Sequence, residues 1–87
     1  MAKPPSKTEV EQVFEDLLDG NLSRHQADRW AARWIEMHTP PDMPDAIWTA
    51  LTRLFGCDST HGPGAAYLHT REQIAEWLAA LRGEEAT

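Results

Sequence analysis

Four times in 87 residues the chain writes a helix start, a run of apolar residues at helical spacing, and a stop. Ser6-Lys7-Thr8-Glu9 and Thr8-Glu9-Val10-Glu11 are overlapping capping boxes, in which a hydroxyl and a carboxylate three residues later satisfy free backbone N–H groups. Val10, Val13, Phe14, Leu17 and Leu18 follow on one arc, and Gly20 closes the segment. Ser23-Arg24-His25-Gln26 opens a second helix, expected to run to His38, with Ala27, Trp30, Ala31, Trp34, Ile35 and His38 on its inward face. Thr39-Pro40-Pro41 stops it, because proline lacks the N–H and restrains the residue before it. A third begins between Asp42 and Pro44, buries Ile47, Trp48, Leu51, Leu54 and Phe55, and ends at Gly56. Thr70-Arg71-Glu72-Gln73 caps a fourth, with Ile74, Trp77, Leu78 and Leu81 inward and Gly83 at its end.

No segment alternates with the two-residue period of a strand, so the expected fold is all-α: a small four-helix domain with one long loop over residues 57–66. Tyr67 and Leu68 are expected to dip back into the core. A single domain fills residues 1–87, with an ordered part of about 8–82 and frayed ends. So short a chain has a poor ratio of surface to volume. Four Trp (Trp30, Trp34, Trp48 and Trp77) offer the compensation, since each buries roughly 200 Å² when packed. The expected core is therefore Trp-rich. Cys57 is the only cysteine, which excludes an intrachain disulfide and fits a reducing, cytoplasmic setting. No run approaches the roughly 20 apolar residues of a membrane span.

Net charge is −6 and unevenly spread. Residues 23–38 carry Arg24, Arg29 and Arg33 against Asp28 and Glu36, whereas the first helix holds Glu9, Glu11, Glu15, Asp16 and Asp19 on its polar arc. Asp16 and Asp19 lie in the last turn, where the helix dipole disfavours anions. A residue placed against a local rule marks a candidate functional surface, here one that would meet a basic protein. Arg24, Arg29 and Arg33 pairing with these acids would give the same residues a purely structural role. The overall acidity argues against nucleic acid, whose affinity comes mainly from neutralised phosphates. The competing reading is a helix-turn-helix: two helices joined across Gly20-Asn21-Leu22, the second exposing His25, Arg29 and Arg33.

Catalysis and metal binding find less support. Cys57, Asp58, His61 and His69 are all ligand types, but one Cys and two His eight residues apart lack the paired spacing of a structural zinc site. Cys57 with His61 could be drawn as a nucleophile and base, yet no third orienting group and no phosphate loop, HExxH or GxSxG pattern accompanies them. His38 is expected to pack on Trp34 and meet the terminal carbonyls of its helix. No enzyme activity, cofactor or metal is expected. The string Gly20-x-Leu22-Ser23-Arg24-x₂-Ala27-x₂-Trp30-Ala31-x₂-Trp34, followed by Asp45-x₂-Trp48-x-Ala50-Leu51-x₂-Leu54-x-Gly56-x-Asp58, Tyr67-Leu68-His69 and Trp77-Leu78-x₂-Leu81, resembles a family of small acidic bacterial proteins of uncharacterised function. These are packing and capping residues, so the resemblance implies a fold and transfers no site. The leading expectation is thus a protein-interaction module of the immunity or inhibitor kind, using its acidic surface; the alternative is a helix-turn-helix-like nucleic-acid-binding regulator.

Overall fold

The computed structural model describes residues 3–60, 67 and 69–86. Four helices follow in order: α1 Lys7–Asp19, α2 Arg24–Ile35, α3 Asp45–Leu54 and α4 Arg71–Ala86. The described residues contain no strand, only an isolated antiparallel bridge between Thr60 and Tyr67. The all-α expectation holds. Two capping boxes form as read: Ser6 and Glu9 at α1, and Ser23 and Gln26 at α2, each accept from the other's backbone N–H. Thr70 accepts the Gln73 N–H at α4. The overlapping Thr8–Glu11 box does not form, because Thr8 lies inside α1 and Glu11 accepts from Arg82. Gly20 closes α1 at φ 84°, a left-handed conformation that a side chain would strain.

Three boundaries differ. α2 ends at Ile35, not His38, because Met37 turns back onto the core; His38 lies beyond the helix and is exposed. α3 begins only after Pro44, which occupies the capping position with no side-chain bond. α4 continues through Gly83 to Ala86, since glycine weakens a helix without ending it unless the chain turns left-handed there.

Helices α1 and α3 each touch the other three. α2 packs on α3, and α1 packs antiparallel to α4: Arg82 reaches Glu11 and Glu15 near one end, while Arg71 donates to the Leu18 carbonyl at 3.0 Å near the other. The largest fully buried side chains are Phe14, Leu51, Leu54, Ile74, Val10 and Cys57. The Trp-rich core is corrected accordingly. Trp34 alone of the four is buried, its Nε1 donating to the Lys3 carbonyl at 2.8 Å. Trp30 and Trp77 are half-buried at the rim. Trp48 is half-buried outside the core cluster, about 60° past the edge of the arc set by Ile47, Ala50, Leu51 and Leu54 at 100° per residue. Tyr67 does not dip inward; it is 47% exposed under the Arg24 guanidinium, and Leu68 lies outside the described residues, as do residues 61–66 of the long loop.

Candidate functional site

Two charged surfaces emerge from these helices, and both differ from the sum of their residues. On α1, Glu9 is exposed but spends one oxygen on the Ser6 N–H of its capping box. Glu11 and Glu15 both accept from Arg82 of α4, at 2.7 and 2.5 Å. The two carboxylates hold the Arg82 guanidinium above its usual range. Asp16 accepts from Gln12 at 3.0 Å, and Asp19 is exposed. None of the three arginines of α2 reaches this arc; Arg82 does, from 67 and 71 residues away. No local sequence signal announces a partner that distant.

The arginines of α2 divide by function. Arg24 points inward, donating to the carbonyls of Cys57 at 3.1 Å and His69 at 2.6 Å while its guanidinium lies 4.1 Å from the Tyr67 ring centre. It clamps the start of α2 to the segment between α3 and α4. His25, Arg29 and Arg33 instead form an exposed stripe at i, i+4 and i+8. Among the described residues Arg33 has no ion-pair partner. Arg29 is half-exposed; its Nε donates to Asp28 at 3.0 Å and its terminal nitrogen lies 3.7 Å from Glu36. The hydrogen bond to Asp28 raises its already high pKa, so it stays charged. Beside the stripe runs an open groove of about 400 Å³ between α1 and α2, with Val13, Leu22 and Trp30 in its wall and Asp16 on the α1 side.

Asp28 was not legible as a site residue, though its position among Ala27, Ala31 and Ala32 hinted at burial. It is 6% exposed, the one buried charged residue among those described, and its Oδ1 accepts the Gly56 N–H at 2.6 Å. Gly56 is left-handed at φ 87°, so this bond holds the turn that ends α3. The turn brings Asp58 within 3.2 Å of His25 Nδ1.

The candidate ligands Cys57, Asp58, His61 and His69 are not gathered into one cluster of described residues. Cys57 is buried and its thiol donates to the Arg24 carbonyl at 3.4 Å. Burial first, then the nearby Asp58 charge, push its pKa up to about 11, the opposite of an activated nucleophile. His69 pairs with Gln73 at 2.9 Å and packs on Trp77. His61, the other half of the drawn dyad, lies outside the described residues.

No helix among the described residues is long and apolar enough to cross a membrane. No solved structure matches the chain. The uncharacterised protein YxzC of Bacillus subtilis (strain 168) is 25% identical over 65 residues, which are 75% of this chain and 52% of that protein. The chain therefore spans about half the length of the curated relative it matches. A family model described as YxzC DNA-binding protein matches residues 2–81. That description names no enzyme, and it overturns the exclusion of nucleic acid drawn from the net charge of −6. The exclusion summed charge over the whole chain, whereas a polyanion meets one face. Here five acids lie on α1, and on α2 the exposed Arg33 has no ion-pair partner among the described residues. With the match covering nearly its whole length, the chain belongs to the YxzC family.

Proposed function

We propose that this chain binds duplex DNA through the exposed face of α2. The observation that carries the reading is the His25, Arg29, Arg33 stripe, which follows α1 after a four-residue connection closed by left-handed Gly20. This is the order of parts in a helix-turn-helix, whose second helix enters the major groove with its N-terminal residues toward the base edges. The description of the family as DNA-binding agrees with it. In this arrangement His25 and Arg29 face base edges and Arg33 meets a phosphate. The Gln26 side chain is held by its capping bond to Ser23 and is not free to read a base. The acids of α1 repel the backbone from the neighbouring side, which orients the chain on the duplex. Asp16, in the groove wall, limits how closely a phosphate approaches.

With so few free cations the electrostatic contribution is small. One phosphate neutralised by Arg33 gives a slope of about −1 in log affinity against log salt, far shallower than that of a strongly basic domain. Fluorescence anisotropy with a random 20-base-pair duplex at several salt concentrations below 100 mM measures it. Arg33→Ala should weaken binding uniformly across sequences and reduce the slope by about one. Asp16→Asn should strengthen it. Absence of binding at the lowest salt, or affinity and slope unchanged in Arg29→Ala and Arg33→Ala, would remove the proposal.

A further inference from the structure

Where the start of α2 meets the turn after α3, three groups of metal-ligand type converge. His25 and Asp28 lie three residues apart on α2, and Asp58 comes from the turn. One ligand atom from each lies within 4.8 Å of the other two. We propose that His25, Asp28 and Asp58 form a binding site for a divalent transition-metal cation.

Two carboxylates held this close repel each other; Asp28 is paired with the half-exposed Arg29 at 3.0 Å and Asp58 with the exposed His25 at 3.2 Å. A divalent ion would satisfy both. The site is partly built in advance: Asp28 is buried and its Oδ1 is fixed by the Gly56 N–H, while Oδ2 accepts from Arg29 Nε at 3.0 Å, a bond that an ion would displace. His25 stands at the edge of it, with a side chain 74% exposed and Nδ1 3.2 Å from Asp58. Ligands about 2.0–2.2 Å from a zinc ion stand roughly 3.3–3.6 Å apart, so closure from the present spread needs side-chain rotation and no backbone shift. One imidazole with two carboxylates suits zinc and its neighbours better than magnesium or calcium, which prefer all-oxygen shells. Three protein ligands also leave a coordination position open. As Asp28 Oδ2 turns to the ion, Arg29 is released from it to the exposed face of α2. Cys57 and His69 do not compete, being committed to the Arg24 carbonyl and to Gln73.

The test is isothermal titration of Zn²⁺ into the full, tag-free chain, after dialysis against a chelator, in a non-coordinating buffer at pH 7.5. One equivalent should bind, and melting temperature should rise with it. His25→Ala and Asp58→Asn should each weaken binding by about tenfold or more, on the scale of losses from disturbing a metal's surroundings. These two are chosen over Asp28 variants because Asp28 also holds the Gly56 turn. His38→Ala, at an exposed histidine outside the cluster, should leave affinity unchanged. No zinc binding by the folded protein, unchanged affinity in both variants, or magnesium bound as tightly as zinc would each overturn the proposal. The measurement contains no DNA, so it stands or falls apart from the proposed function.

Discussion

Asp28→Ala removes the acceptor of the Gly56 N–H and leaves the left-handed turn after α3 without its side-chain anchor. A buried donor stripped of its partner costs about 1–3 kcal/mol, and a bond to a charged group lies toward the upper part of that range. Two effects pull the figure down. Gly56 is only half-buried, so water can reach part of the turn, and a buried carboxylate no longer has to be desolvated. The expected loss is about 2 kcal/mol. Against a total of roughly 5–15 kcal/mol it is a large fraction, and at ~4–8 °C per kcal/mol it lowers the melting temperature by about 8–16 °C. Asp28→Asn keeps an oxygen at the acceptor position and should lose less than half as much. Urea unfolding at pH 7, with thermal melts alongside, measures both. A loss below about 0.5 kcal/mol for Ala would show that the bond does not hold the turn. Equal losses for Asn and Ala would show that the carboxylate charge, and not the acceptor, carries the effect.

The tryptophans should separate in the same assays: Trp34→Ala costs ~3–5 kcal/mol, whereas Trp48→Ala, outside the core cluster, costs ~1 kcal/mol or less. Comparable losses at both would refute the division. Cys57 makes stability fall in alkali. Its thiol pKa is raised from 9.0 to about 11 in the fold, so the contribution of the neutral thiol is complete below pH 9 and is lost as pH rises through 11. A urea midpoint measured from pH 8 to 11 should decline, and Cys57→Ala should decline less. At pH 8 a thiol reagent should label Cys57 only after denaturant is added; fast labelling of the native chain would contradict its burial.

What the sequence makes legible here is local. Capping boxes join residues three apart, so Ser6 with Glu9 and Ser23 with Gln26 could be read directly. The inward arcs of Val10 with Phe14 and of Ile74 with Leu78 follow from helical period alone. Trp48 departs from the expected face because its angle on α3 carries it past the buried arc, whatever its size. The structural roles of Arg82 and Asp28, and the carbonyl partners that Arg24 takes in place of the α1 acids, are not legible because those partners lie 28 to 71 residues away. The basic stripe is visible as spacing, but net charge says nothing of its role, being blind to which face carries which sign. The His25, Asp28, Asp58 cluster could not be read at all, since Asp58 joins the other two only through the left-handed turn at Gly56.

The antiparallel pairing of α1 with α4 fixes how the molecule responds to mechanical load. The start of α1 and the end of α4 lie at the same end of the bundle, where Arg82 bridges Glu11 and Glu15. Tension applied at the start of α1 and the end of α4 therefore peels the helices apart, loading the Trp34–Lys3 bond and the Arg82 bridge before the contacts beyond them. Peeling of this kind yields at low force. Attachment at Lys7 and Arg71, which sit at opposite ends of the same helix pair, would load the whole seam in shear and demand a higher force for the same contacts. The resistance of this fold to pulling is thus set by where it is held, with no change in its equilibrium stability.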